Sequence, residues 1–164
     1  MKIGIISDTH NNLKSVEKAV ILFNKYQVRY IFHSGDMVSP VTARAFAGAA
    51  GAKFIAVLGN CDSKHAGLRD AIEEFGGQLH ERFYSGKVSG KRIYMSHKLT
   101  ELENVVNGGR CDLAIYGHTH KQDIRWAGDV LIVNPGSAND MNTPGGCVII
   151  LDIDDMSYEI VPLS

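Results

Sequence analysis

Ile3-Gly4-Ile5-Ile6-Ser7-Asp8-Thr9-His10 opens the chain with a short apolar run that breaks off into polar residues. An apolar run of that length, bounded by a polar loop, reads as a buried strand. Beyond the loop, Leu13, Val16, Ala19, Val20 and Phe23 recur at helical spacing and form a core stripe rather than a cofactor groove. The first unit is therefore strand, loop, helix, with Asp8 and His10 in the loop.

The same pattern repeats downstream. Tyr30-Ile31-Phe32 reads as a strand, Ser39 as a helix cap with Pro40 in the first helical position, and residues 54–58 as another strand. A third helix carries Leu68, Ala71, Ile72 and Phe75 and stops at Gly76-Gly77. This alternation predicts parallel strands joined by right-handed crossovers, with helices packed on the sheet.

The second half changes character. Residues 83–88 and 91–95 flank Ser89-Gly90, residues 124–127 and 130–133 flank Gly128-Asp129, and residues 147–153 and 157–161 form a third pair, so three hairpins are expected. Thr100 and Glu103 form a capping-box pattern ahead of Leu102, Val105 and Val106, which predicts one more helix ending at Gly108. A strand over residues 113–116 then leads into Gly117-His118-Thr119-His120. An α/β half followed by an antiparallel half predicts two sheets packed face to face with helices outside.

Composition narrows the function classes. With 164 residues, 45% of them hydrophobic, the chain supports one core and one compact domain over residues 1–164. A net charge of -1, without a basic stripe, argues against long nucleic acid as a partner. Cys61, Cys111 and Cys147 are odd in number and far apart, which fits neither a disulfide framework nor a cysteine zinc site and predicts a reducing, cytoplasmic setting. No segment reads as a signal peptide or a bilayer span, so a soluble protein with no membrane partner is expected.

The chemically informative residues collect after predicted strands: Ser7-Asp8-Thr9-His10, Gly35-Asp36, Gly59-Asn60-Cys61-Asp62, Ser96-His97 and Gly117-His118-Thr119-His120. In open α/β sheets that edge is where ligands bind. Asp8 and His10 are two apart, as are His118 and His120, so in extended post-strand segments each pair points to one side. Gly35, Gly59 and Gly117 allow sharp turns beside them. Two carboxylates, one amide and four imidazoles exceed one structural zinc and suit two ions sharing a carboxylate; the donor mix favours Mn, Ni, Zn or Fe over Mg or Ca. Each fragment alone is commonplace, since a Gly-Asp usually marks a turn. The five in this order form a much narrower constellation.

The series Asp8-x-His10, Gly35-Asp36, Gly59-Asn60-x-Asp62, His97 and Gly117-His118-x-His120 resembles the calcineurin-like metallophosphoesterase superfamily, in particular its small single-domain bacterial and archaeal phosphodiesterases. The likeness runs from Ile3 to Asn134-Pro135-Gly136-Ser137. It implies a four-layer α-β-β-α sandwich of two mixed sheets packed face to face with helices on the outside. It also implies two divalent metal ions, one on Asp8, His10, Asp36 and His120, the other on Asp36, Asn60, His97 and His118. Asp36, as the bridge, and Asn60, as a neutral ligand, are thereby assigned to catalysis.

Two such cations lower the pKa of a shared water and clamp the phosphoryl oxygens of an in-line displacement, so a bridging hydroxide is the expected nucleophile. Phosphoryl transfer asks chiefly for positioning and charge neutralisation, and no side-chain nucleophile is needed. Asp62 either orients a neighbouring ligand or is a turn residue.

The chain departs from the wider family at two positions. Cys61 stands where many relatives have the histidine thought to protonate the leaving group, and a neutral thiol is a poor acid at pH 7. A preference for good leaving groups follows, with His65 a remote alternative acid. Ser96-His97-Lys98-Leu99 stands where many relatives have His-Gly-His, leaving His97 as the ligand and Lys98 either beside a phosphate or simply solvated. Asn11 is a further candidate phosphate contact.

His33 and His80 read as packing or surface residues, Cys111 and Cys147 as small buried hydrophobes, and Asp152, Asp154 and Asp155 as a hairpin turn. With few cationic residues near the motifs, a small phosphodiester is the favoured substrate over a monoester. The superfamily also implies a different class, a retromer-subunit-like protein-binding scaffold, but a scaffold is free to lose the seven donors retained here. A homo-oligomer is compatible with the sequence.

Overall fold

The computed structural model describes residues 1–62, 67–139 and 146–163. The opening run is strand β1 (Lys2–Ile6), and its lack of alternation has a simple cause. Ile3 and Ile5 enter the core between two sheets, while Ile6 faces the core under the helices, so both faces are covered. Gly4 belongs to the helix face, where any Cβ would collide with the Phe23 ring, so glycine lets helix α1 (Leu13–Lys25) lie close on the strand.

Asn12 caps α1 by accepting from the Ser15 N–H at 3.1 Å, and Val16, Ala19, Val20 and Phe23 are buried as expected. Leu13 is the exception to the predicted stripe. It is 38% exposed because it opens the first turn, beyond the end of the sheet.

Strand β2 (Tyr30–His33), helix α2 (Pro40–Ala45), strand β3 (Lys53–Val57), helix α3 (Leu68–Glu73) and strand β4 (Gln78–His80) continue the crossovers. Ser39 caps α2 and Pro40 occupies its first turn, as the sequence predicts. Strands β1 to β4 are parallel, with Ile5 opposite Phe32 and Phe32 opposite Ile55. The three-residue β4 escapes sequence reading because it is too short to show a period.

The second half supplies β5 (Phe83–Val88), β6 (Lys91–Ser96), α4 (Glu103–Asn107), β7 (Leu113–Ile115), β8 (Asp123–Ala127), β9 (Val130–Asn134), β10 (Cys147–Asp152) and β11 (Tyr158–Pro162). The three hairpins form, but this half is not a separate antiparallel sheet. Strands β10 and β11 cross back to the first sheet, ordered β11-β10-β1-β2-β3-β4, with β10 antiparallel to β1. The second sheet, β5-β6-β7-β9-β8, is itself mixed, since β7 lies parallel to both β6 and β9. The predicted capping box is also absent. Thr100 lies in a 3-10 turn (Leu99–Glu101), and α4 starts at Glu103, with Leu102 at the N-cap position and no side-chain cap bond.

Helices α1 to α3 cover the outer face of the first sheet. Leu102 and Val106, at the cap and in the body of α4, pack with Ala114, Tyr116 and Ile132 on the outer face of the second. Isoleucine, leucine and valine from both inner faces fill the space between. The result is the four-layer α-β-β-α sandwich. At the β10–β11 turn, Asp152 and Asp154 accept from the amine of Met1 at 2.8 and 2.5 Å, so this acidic cluster is structural. No helix among the described residues is long and apolar enough to cross a membrane.

Candidate metal centre

The carboxyl ends of β1, β2, β3, β6 and β7 gather at one edge of the sandwich and carry Asp8, Asp36, Asn60, His97 and the pair His118 and His120. The donors do not converge by strand alternation. Asp8, His10, Asp36, His118 and His120 all have left-handed backbone, with φ between 41° and 67°. For a residue with a Cβ this costs about 1 kcal/mol or more each, and such strain persists only where surrounding contacts over-determine it.

Asp8, His10, Asp36 and His120 form one cluster, each offering a ligand atom within 4.8 Å of all the others. His120 Nε2 lies 3.2 Å from both Asp8 Oδ1 and His10 Nε2. Asp8 is fully buried, and its Oδ2 accepts from the Ser7 hydroxyl at 2.5 Å and the His118 N–H at 3.1 Å. Its Oδ1 has no hydrogen-bond partner among the described residues and faces the histidines. Burial pushes the Asp8 carboxyl up from its ordinary value, against the Ser7 hydrogen bond. A buried carboxylate oxygen left unpaired among imidazole nitrogens is what a divalent cation satisfies, so these residues fit a metal.

Asp36, Asn60, His97 and His118 form the adjoining cluster. His97 Nε2 is 3.5 Å from Asp36 Oδ2 and 3.0 Å from Asn60 Oδ1, and the rings of His97 and His118 meet edge-on at 5.0 Å. His97 Nδ1 donates to the Ser34 carbonyl at 2.8 Å, which turns Nε2 toward the centre, the usual support for a ligating imidazole. Asp36 Oδ1 accepts from the Cys61 N–H at 2.8 Å, while Oδ2 stands between His10 at 3.7 Å and His97 at 3.5 Å. Burial would raise the Asp36 carboxyl, but the His97 imidazole 3.5 Å away and the hydrogen bond from the Cys61 N–H outweigh it and hold the group below the usual carboxylate range. Burial would likewise lower His97, and the bonds to Asp36 and Ser34 reverse the sign. His118 is lowered by burial, then by the nearby His97 and Lys98.

Asp62 is more than a turn residue. It is 3% exposed, and its carboxylate accepts from the backbone N–H groups of Asp36, Gly59 and Val38 at 2.8, 2.8 and 2.6 Å. His33 is also more than packing. Its Nδ1 accepts from the Gly35 N–H at 3.2 Å, so Nε2 carries the proton and donates to Thr9 Oγ1 at 3.2 Å, linking the loops that bear Asp8 and Asp36. His80 is half-buried at a strand end, with its Nε2 unpaired among the described residues.

Asn134 is the supporting residue that sequence reasoning left without a role. Its amide nitrogen donates to the Gly117 carbonyl and to Thr119 Oγ1, both at 3.0 Å, and its Oδ1 accepts from the Gly136 N–H. Ser137 donates to the Asp8 carbonyl at 2.9 Å. Asn134-Pro135-Gly136-Ser137 thus ties the loops of Asp8 and His118 together, and its place directly after a strand was the available signal.

Of the candidate substrate contacts, Lys98 is exposed beside His97, and Asn11 is exposed with its Oδ1 accepting from Thr42 at 3.2 Å. The Cys61 thiol is pushed up by burial and by Asp36. His65 lies outside the described residues.

The family profile of the calcineurin-like phosphoesterase superfamily domain matches residues 1–156. The chain belongs to this superfamily. A phosphodiesterase of Methanocaldococcus jannaschii is 32% identical over 166 residues, covering 99% of each chain. The solved structure of an archaeal phosphodiesterase superposes with a TM-score of 0.91 at 32% identity, over 99% of both chains. Zinc-complexed Vps29 of Entamoeba histolytica matches at 17% identity with a TM-score of 0.68 over the full length of both, which is a likeness of fold.

The calcineurin-like chain described here is accordingly a hydrolase, a metal-dependent phosphoesterase that uses divalent cations. Its strained loops, unpaired Asp8 Oδ1 and preset His97 tautomer are the features that such chemistry asks of a protein.

Proposed function

We propose that this protein hydrolyses small phosphodiesters at a centre of two divalent cations. Asp8, His10, Asp36 and His120 would hold one cation, and Asp36, Asn60, His97 and His118 the other. The observation that carries this reading is the placement of Asp36 Oδ2 between His10 and His97, one from each cluster.

When bound, such a pair of cations supplies an activated water and neutralises charge on the phosphoryl oxygens. The chain's own residues supply position. Asp62 and Cys61 fix Asp36 through backbone hydrogen bonds, and Ser34 fixes the His97 tautomer. Asn60 Nδ2 donates to Cys61 Sγ at 3.4 Å, which directs the neutral Oδ1 inward. Asn11 and Lys98 are assigned to the phosphoryl oxygens not held by the centre. The one positive charge of Lys98 suits the single negative charge of a diester better than the nearly double charge of a monoester. The spacing of the three cysteines supports a reducing, cytoplasmic setting.

The test is hydrolysis of bis(p-nitrophenyl) phosphate and p-nitrophenyl phosphate after reloading the metal-free protein with Mn, Ni, Zn or Fe. The reading expects turnover with at least one metal and a higher kcat/KM for the diester. No diester turnover above background with any of the four would sink it.

A further inference from the structure

Beside the candidate centre lies a second cavity that no step above uses. It measures about 480 Å³ and shares His120 with the metal cluster, so a ligand in it sits next to the reacting phosphorus. That volume falls in the range of small-molecule sites, roughly 300 to 1,000 Å³. Pro135, Ile160 and Pro162 give it apolar walls, and none of the described residues that line it is acidic.

Ile160 is placed there by register. It pairs with Ile149, whose side chain is in the core between the sheets, so Ile160 points to the same inner face. It is nevertheless 42% exposed, because β11 is the edge strand of its sheet. An apolar wall is thereby left open next to a polar reaction centre.

The polar group of the cavity is oriented. Cys147, expected to be a small buried hydrophobe, is only half-buried and hydrogen-bonded. Burial pushes its thiol up, so it stays protonated and donates to the Pro135 carbonyl at 3.1 Å. With its proton used, Sγ can only accept, and it takes an N–H from Gln122 Nε2 at 3.2 Å. This contact orients the exposed Gln122 amide at the cavity wall, and among the described residues Oε1 and the second N–H are left for a ligand. A glutamine acceptor and donor side by side match the amino group and ring nitrogen of adenine.

We propose that this cavity is the subsite for one ester arm of the substrate and that the arm is a nucleoside. The base lies against Pro135, Ile160 and Pro162 and places its donor-acceptor edge on Gln122. The proposal rests on the diesterase reading and names the substrate class for it.

Two diesters with the same leaving group test it: the adenosine p-nitrophenyl phosphodiester and methyl p-nitrophenyl phosphate, with the Mn-loaded protein. The adenosine ester should be preferred in kcat/KM by about tenfold or more, and Gln122→Ala and Ile160→Glu should each shrink that preference about three- to tenfold. A second arm needs no turnover. Adenosine monophosphate added to the metal-free protein should shift the NMR signals of the Ile160 methyls and the Gln122 side-chain amide. A preference that moves in neither variant, or signals that stay fixed, overturns the subsite and leaves diester hydrolysis standing. Shifted signals without hydrolysis of either ester would instead keep the nucleoside site and overturn the hydrolytic reading.

Discussion

The carboxylate of Asp62 accepts the backbone N–H of Asp36 at 2.8 Å, and the same oxygen takes the N–H of Gly59 at 2.8 Å. One buried acid thus fixes the spacing of the loops that carry Asp36 and Asn60. Its other oxygen accepts from Val38, which has φ of 82°, an uncommon value for a β-branched residue. Asp62→Ala leaves three backbone donors without their acceptor and should lower stability by about 3 kcal/mol, read from denaturant unfolding. Asp62→Asn keeps the shape and should cost less. Both should weaken metal binding, by about ten- to a hundredfold for a residue that supports a ligand. Unchanged metal affinity in both would show that the loop spacing does not depend on this contact.

The leaving group is the next place where a single residue decides an outcome. Burial and Asp36 keep the Cys61 thiol protonated, and a thiol gives up its proton poorly, so it offers an alkoxide little help. Aryl diesters should be turned over much faster than alkyl diesters. Cys61→His should raise turnover of an alkyl diester by about tenfold or more while moving aryl turnover little. Equal gains on both substrates would mean that the histidine acts through something other than the leaving group.

His33 predicts an acid limb in stability. Burial lowers this imidazole to about 3, from an ordinary value near 6.5. The unfolded chain binds the proton first as pH falls, so the contribution of neutral His33 is intact above about 6.5 and is lost progressively toward about 3. In the metal-free protein the slope from this group is about 1 kcal/mol per pH unit. His33→Gln, which keeps one donor and one acceptor, should flatten the profile over that interval. A profile with the same slope in the variant would assign the acid sensitivity to other groups.

How much of this was legible in the sequence depended on how local each signal was. The unit built on Ile3 to His10 and the Ser39-Pro40 cap were readable because strand burial and helix starts are set by neighbouring residues. The return of β10 to pair with β1 was not, because Ile5 opposite Ile149 is a contact between distant segments. Thr100 and Glu103 had the right spacing for a cap, yet a 3-10 turn took its place. The candidate donors were legible as residue types, and the chain does bring all seven together. Their left-handed backbone was not, because Asp and His, though enriched there, adopt φ above zero only in a minority of cases, and contacts from distant segments decide it. Asp62 and His33 were ambiguous for a related reason: their roles consist of hydrogen bonds to backbone, which has no sequence signature.

The central claim is a pair of cations that share Asp36, and counting metal tests it most directly. Titration of the metal-free protein with Mn, followed by elemental analysis of the washed protein, should give two ions per chain, and Asp36→Ala should lose both sites together. One ion per chain in the unaltered protein, or a variant that retains two, would contradict the account.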